Sequence, residues 1–184
     1  MQRRHFVTRL IQGTGTAFMS DTLLAQQRVY LSEQQALKLV FPHSGQVVPE
    51  NHDLTPDQER AIALTLRYRL ASRTQRVWRG LSGGHTDGYA MILNEVGKEQ
   101  YITFVAGITP EFRVQRVALM VFRENRGWEV EDARFTNQFR GQALSDSLTV
   151  GADINGITGA TLSSQALCRG TKKALVICEA LYRK

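Results

Sequence analysis

Three runs of β-type sequence follow one another in the middle of the chain, with very short connections between them. They are rich in β-branched and aromatic residues and cover residues 88–96, 101–106 and 113–122. Residues 97–98 and 107–110 supply the predicted turns. Connections this short join antiparallel neighbours, because parallel strands need a crossover of a dozen or more residues. The centre of the chain therefore predicts an antiparallel meander.

Two helix signals precede the meander. Ser32-Glu33-Gln34-Gln35 is a capping box, and the helix that it begins should stop at Pro42. Residues 42–51 contain glycine and proline and are predicted to form a loop. Thr55-Pro56-Asp57-Gln58 places a cap residue, a first-turn proline and a third-position glutamine in order, which predicts a helix over residues 56–70.

Two more helices are predicted after the meander. A short helix is expected over residues 131–139, where Phe135 and Phe139 share one face, and the last helix should begin near Ser163. We find no internal repeat and no linker composition. The sequence therefore predicts a single α+β domain, in which an antiparallel meander sheet packs with N-terminal and C-terminal helices.

Composition limits the class of function. Hydrophobic residues make up 42% of the 184 residues and charged residues 22%, as in an ordinary globular domain. The net charge of +6 invites a comparison with nucleic-acid-binding proteins. The arginines that follow residue 59 stand singly, however, and do not form a basic run interleaved with aromatic residues. We therefore expect a solvated basic surface and no nucleic-acid partner.

The first 25 residues have the character of a targeting segment. Arg3-Arg4 is followed by Phe6 and Val7, and a weakly apolar stretch then ends at Ala25, so the segment resembles a twin-arginine export signal. Cleavage after Ala25 would remove three arginines and one aspartate and lower the net charge from +6 to +4. We expect an exported protein that is periplasmic or otherwise extracytoplasmic. The alternative is an amphipathic N-terminal helix in a cytosolic protein.

Cysteine and histidine spacing gives no metal site. Cys168 and Cys178 lie ten positions apart in a helical stretch, roughly 15 Å along the axis, so a disulfide between them is not expected. The four histidines show no ligand spacing, and we interpret them as surface or loop residues. No nucleophile elbow or nicotinamide fingerprint is present, so no catalytic residue is assigned.

A loop of small residues leads directly into the last helix, over residues 153–164. The first-turn amides of a helix lack intrahelical partners and the helix dipole is positive there, so this position favours an anion. The hydroxyl of Thr161 projects at or beside the cap position, where it could carry a phosphate. The residues alone also fit ordinary capping by Thr and Ser.

The segment Thr158-Gly159-Ala160-Thr161-Leu162-Ser163-Ser164 resembles the flavinylation motif of the FMN-binding domain family. Residues 87–90, 123–127 and 135–141 are similar to other blocks of that family in the same order. The family includes covalently flavinylated subunits of bacterial ion-pumping quinone and ferredoxin oxidoreductase complexes. There a dedicated flavin transferase joins the FMN phosphate to a threonine in this place. The resemblance predicts an FMN-binding domain over residues 26–184.

The resemblance implies a set of cofactor-binding residues. Thr161 would supply the ester oxygen, and the family usually has Asp six residues before it, where this chain has Asn155. If the transferase needs that carboxylate, FMN would be bound without a covalent bond. Aromatic Trp78, Tyr89 and Trp128 could stack on the flavin or belong to the core. The predicted FMN site consists of Thr161, Thr158, Gly159, Ala160, Leu162, Ser163, Ser164, Asn155, Glu124 and Gln138.

Three functions follow from the resemblance. The first is a relay that passes electrons between redox partners, matured by a flavin transferase and serving a membrane or periplasmic electron-transfer partner. The second is a flavoenzyme that reduces a small acceptor directly. The third is a module that only binds FMN. The relay is favoured because the sequence carries no acid/base or nicotinamide signature.

Overall fold

The computed structural model describes residues 27–183, so the predicted export signal lies outside the described residues. Its six strands form one antiparallel sheet in the order β1-β6-β5-β4-β3-β2. The strands are β1 (Arg28–Val29), β2 (Gln46–Asp53), β3 (Thr74–Ser82), β4 (His85–Val96), β5 (Tyr101–Ile108) and β6 (Val114–Phe122). The α-helices are α1 (Glu33–Val40), α2 (Pro56–Leu66), α3 (Ala133–Thr136) and α4 (Thr161–Tyr182). The predicted single α+β domain with an antiparallel meander is confirmed.

Both predicted capping boxes are present. The side chain of Ser32 accepts from the Gln35 amide at the start of α1, and Thr55 accepts from Gln58 at the start of α2. The second helix is shorter than the predicted 56–70, because Arg67 adopts the left-handed conformation with φ 64° and ends it. Local capping chemistry thus predicts where both helices begin more reliably than where α2 ends.

The loop prediction for residues 42–51 is wrong over most of its length. Strand β2 occupies residues 46–53 and pairs with β3, which the sequence pattern also did not single out. Pro49 lies within β2, opposite Trp78. Proline is tolerated there because β2 is an edge strand, with one neighbouring strand among residues 27–183.

The sheet packs helices on both of its faces. Helices α2 and α4 contact each other, and α4 covers β4 and β5 over the larger core. Helix α1 packs on β5 and β6 over a smaller core that contains Trp78. Tyr89 is buried in the larger core, where it stacks on Tyr182 at 4.2 Å between ring centroids. Two of the three aromatic residues that the sequence offered for flavin stacking therefore belong to the cores.

The segment after β6 folds back as short turns of helix. Helix α3 lies between two 3₁₀ turns, Trp128–Glu131 and Asn137–Phe139, where a single helix over 131–139 was predicted. The rings of Phe135 and Phe139 meet edge to face at 5.6 Å, as their spacing predicted. This segment brings Trp128 beside the beginning of α4.

Helix α4 is the longest helix that the structure describes. Cys168 and Cys178 are buried and free, as expected from their separation, and burial raises the pKa of the Cys168 thiol to about 12. Within residues 27–183, no helix is long and apolar enough to cross a membrane. The same residues contain no cluster of three or more His, Cys, Asp or Glu that could hold a metal ion.

Candidate functional site

The site is built around the first turn of α4. Thr161 is the first helical residue and is exposed, and the cap residue Ala160 provides no side-chain hydrogen bond to the helix amides. Among residues 27–183, the first amide of this helix with a backbone acceptor is that of Ser164, which donates to the Ala160 carbonyl at 2.8 Å. The amides of residues 161–163 therefore remain open to an outside acceptor.

The loop before Thr161 is held from behind by a buried serine. The hydroxyl of Ser164 donates to the Ala160 carbonyl at 3.0 Å, and the Ile157 amide approaches the same hydroxyl at 3.5 Å. Ser164 is fully buried, so its hydroxyl braces the loop instead of facing the open side. Gly159, with φ +84°, makes the turn that directs the chain into the helix.

Gly127 lets the segment after β6 approach the start of α4. It has φ +89°, a conformation that favours glycine, and a Cβ added there would lie 2.5 Å from the hydroxyl oxygen of Ser163. Ser163 is itself buried. This close approach forms one wall of a cavity of about 500 Å³ at Thr161, which we call the Thr161 cavity. Its lining residues are Lys98, Glu99, Glu124, Asn125, Arg126, Gly159, Ala160, Thr161, Leu162 and Ser163.

Glu124 ties two walls of the Thr161 cavity together. Its Oε1 atom accepts hydrogen bonds from three successive backbone amides of the β4–β5 turn, at 2.5, 2.7 and 2.9 Å. These amides belong to Lys98, Glu99 and Gln100. Three converging amides make an anion-binding nest, and here the chain's own carboxylate fills it. The side chain of Lys98 is exposed, and its Nζ lies 3.2 Å from Glu99 Oε1.

A second cavity of about 610 Å³ lies on the other side of the loop, and we call it the Trp128 cavity. Its aromatic and aliphatic lining comes from Trp128, Phe135 and Ile157. Its polar lining comes from Glu129, Glu131, Asp132, Arg134, Gln138, Asn155 and Gly156. Hydrogen bonds from the Arg134 side chain and amide lower the pKa of Asp132 to about 2, so this carboxylate stays ionised at neutral pH.

Gln138 clamps the loop from the side of the Trp128 cavity. Its Oε1 accepts from the Asn155 amide at 2.8 Å, and its Nε2 donates to the Asn155 carbonyl at 3.2 Å. Both polar atoms of the Gln138 side chain thus bind the backbone at the point where the loop begins. Asp153, two residues earlier, accepts from the Ser147 hydroxyl at 2.6 Å and the Leu148 amide at 2.8 Å. These bonds hold the preceding loop in place.

The structure brings most of the sequence-predicted site residues to these two cavities. Glu124, Gly159, Ala160, Thr161, Leu162 and Ser163 line the Thr161 cavity. Gln138 and Asn155 line the Trp128 cavity, Thr158 is exposed on the loop between them, and Ser164 lies behind the loop. The sequence assigned neither Lys98 nor Arg126 to the site. Arg126 lies within the family-like block at residues 123–127, whereas Lys98 carries no signal before the β4–β5 turn is folded.

Comparisons with known proteins find a family match, a similar sequence and a similar fold. Residues 97–176 match the model of the FMN-binding domain. A protein of Methanosarcina acetivorans, named as part of an ion-translocating oxidoreductase complex, is 28% identical over 151 residues, which cover 78% of this chain and 74% of the relative. The crystal structure of NqrC from Shewanella oneidensis has the same fold, with a TM-score of 0.55 and 14% identity over 87% of this chain and 91% of that chain. Over residues 97–176, which include Thr161 and the loop before it, the chain is similar to the FMN-binding domain family.

Proposed function

We propose that this protein carries FMN through a phosphoester on Thr161 and relays electrons between redox partners outside the cytoplasm. The observation that carries the proposal is the exposed Thr161 hydroxyl at the open, uncapped start of α4. A phosphate there would accept hydrogen bonds from the amides of residues 161–163 and meet the positive end of the helix dipole. The lining of the same cavity contains two positive side chains, Lys98 and Arg126, and two negative ones, Glu99 and Glu124, so the helix amides carry the proposal.

The Trp128 cavity suits the flavin ring. Its aromatic and aliphatic side chains offer the flat apolar surface that a large planar ring needs, and its polar residues could meet the polar edge of the ring. Gly127 lies between the two cavities. It packs on Ser163, which lines the Thr161 cavity, and it directly precedes Trp128, which lines the Trp128 cavity. FMN, when bound, supplies the redox chemistry, and the protein residues bind it and set its surroundings.

The relay is favoured over direct turnover of a small substrate. The similar protein from Methanosarcina acetivorans is named as one component of an ion-translocating oxidoreductase complex, which supports a role beside other redox proteins. We propose a membrane or periplasmic electron-transfer partner, and a flavin transferase that attaches the FMN. The twin-arginine-type segment of residues 1–25 supports the extracytoplasmic location.

Intact-mass measurement tests the covalent bond. The full chain, co-expressed with a flavin transferase and recovered after export, should gain the mass of one FMN less one water. Thr161→Ala should lose this gain, whereas the matched control Thr65→Ala, at an exposed position of α2 outside both cavities, should keep it. Asn155→Asp restores the carboxylate usual in the family and should raise the flavinylated fraction. An unshifted mass in both the wild-type chain and Asn155→Asp would contradict the proposal.

Turnover measurements separate the relay from the enzyme. The isolated, FMN-loaded protein should exchange electrons reversibly with a chemical reductant and should not turn over soluble acceptors at an enzymatic rate. Turnover of a small acceptor or quinone at roughly 1 to 1000 per second would instead favour the enzyme. A bound flavin that cannot be reduced and reoxidised would leave only the binding module.

A further inference from the structure

Arg28 lies over the ring of Trp128. Its guanidinium carbon is 3.8 Å from the centroid of the indole, well within the range of a cation–π interaction. Arg28 is not part of the lining of the Trp128 cavity. It therefore approaches that cavity from behind the indole, and it can act on a bound ring only through Trp128.

The sheet fixes the backbone of Arg28. Strand β1 pairs antiparallel with β6, where Arg28 lies opposite Phe122 and Val29 lies opposite Val121. The Tyr30 amide then donates to the Met120 carbonyl at 2.8 Å. These bonds hold the beginning of the described chain beside the segment that carries Trp128. The cleavage expected after Ala25 would leave Arg28 in the mature protein.

We propose that Arg28 is a positioning residue for the flavin. It holds the indole of Trp128 against the cavity and places a positive charge behind it. This inference rests on the proposed function, in which the flavin ring occupies the Trp128 cavity. Uptake of two electrons from the donor and one proton from solvent leaves the reduced ring with a negative charge. A fixed positive charge one indole away stabilises that anion relative to the neutral oxidised ring.

The positive charge of Arg28 matters because the lining of the Trp128 cavity is acidic. Glu129, Glu131 and Asp132 all line the Trp128 cavity, and Arg134 pairs with Asp132. Arg28 and Arg134 offset two of these three negative charges, and without Arg28 the larger negative excess would disfavour the reduced anion further. Because Arg28 is exposed, solvent screens its charge, and we expect a roughly three- to tenfold effect on the ratio of reduced to oxidised flavin.

The chain contains a matched control for this pair. Arg76 lies over the ring of Trp78 at 4.8 Å, in the core on the opposite face of the sheet from α4. Arg76→Gln therefore removes the same kind of contact far from the flavin cavities. Arg28→Lys keeps the charge but loses the planar group that stacks on the indole, so it separates charge from stacking.

Two measurements on the full chain test the inference. Reductive titration of the FMN-loaded protein should give a lower midpoint potential in Arg28→Gln, by about 15 to 30 mV for a three- to tenfold effect on a two-electron couple. Arg28→Lys should keep most of the wild-type potential, and Arg76→Gln should keep all of it. In the FMN-free protein with Trp78→Phe, Arg28→Gln should shift Trp128 emission to longer wavelength and make it easier to quench with acrylamide.

The outcomes separate this inference from the proposed function. Unchanged Trp128 emission in Arg28→Gln overturns the positioning of the indole. Changed emission with an unchanged potential overturns the role toward the flavin, as does an equal change of potential in Arg76→Gln. A wild-type chain that takes up no FMN contradicts the proposed function itself, and with it the role toward the flavin, while the emission measurement still decides whether Arg28 orders Trp128.

Discussion

The two ends of α4 differ in how their polar groups are satisfied. At the C-terminal end, the Tyr182 hydroxyl donates to Glu50 Oε2 at 2.7 Å and lies 2.7 Å from His52 Nε2. Arg79 pairs with the other oxygen of Glu50 at 2.6 Å. At the N-terminal end, Ala160 provides no cap, and Thr161 and Leu162 are exposed. One end is closed by a polar network, and the other is left open.

The C-terminal end of α4 stabilises the fold, whereas the N-terminal end leaves backbone amides available to a ligand. At the closed end, the Tyr182 hydroxyl and both carboxylate oxygens of Glu50 find partners within the chain, because an unpaired buried polar group costs free energy. The open amides at Thr161 lie in a solvent-accessible cavity, so they can remain available to a ligand at little cost. The closed end holds the helix against β2 and β3, and the open end is therefore presented by an anchored helix.

The largest effect is expected from adding a methyl group at Gly127, where the segment after β6 packs on the first turn of α4. Gly127→Ala places a side chain at a residue with a left-handed backbone conformation, and its Cβ would meet Ser163. We expect the unfolding free energy to fall by about 2 to 4 kcal/mol and FMN loading to decrease. Urea unfolding and intact mass measure the two effects. The matched control is Gly141→Ala, with φ +83° and no atom within 4 Å of the added Cβ, which should cost only about 1 kcal/mol. Equal losses in the two variants would refute the contact with Ser163.

A smaller effect is expected at the closed end. Tyr182→Phe removes the hydrogen bond to the Glu50 carboxylate and should lower the unfolding free energy by about 1 to 2 kcal/mol, with FMN loading unchanged. Tyr101→Phe serves as control, because Tyr101 is exposed and its hydroxyl takes no part in this network. Denaturant unfolding and intact mass provide the readouts. If Tyr182→Phe impaired loading as strongly as Gly127→Ala, the two ends would not be independent.

The smallest effect concerns pH. Burial alone would raise the pKa of Glu50, but hydrogen bonds from Tyr182 and His52 and the charge of Arg79 outweigh it and place the pKa below its ordinary value of 4.5. Because the pKa is lowered on folding, this contribution is fully present above pH 4.5 and is lost as the pH falls through the folded-state value. Glu50→Gln should therefore flatten the acid limb of stability against pH. The exposed Glu99→Gln should leave it unchanged, and identical slopes in all three chains would contradict the linkage.

Local chemistry in the sequence predicted much of the fold. The two capping boxes and the strands of the meander could be recognised because each signal lies within a few residues. Strand β2 could not, since its proline and polar residues suit a loop until β3 lies beside it. The end of α2 depends on the left-handed conformation of Arg67, for which the sequence offers no glycine.

The loop of the candidate site could be predicted from the sequence, but the hydrogen bonds that hold it in place could not. The small residues before Thr161 indicated an anion site directly. The hydrogen bonds that Glu124 accepts from the β4–β5 turn span 24 to 26 residues of chain, and the one that Gln138 accepts from Asn155 spans 17. Such distant contacts arise only when β6 and α3 are in place. For this reason both residues could be named as part of the site while their contacts could not be.

The two borders of the sheet affect how the protein can associate with other chains. Strand β1 has only two residues, and β2 contains Pro49, which has no amide hydrogen to offer a further strand. Short edges and edge prolines are devices that prevent sheets from pairing with one another. If the protein works as the proposed electron relay, such borders let it approach partner proteins closely without exchanging strands or forming aggregates.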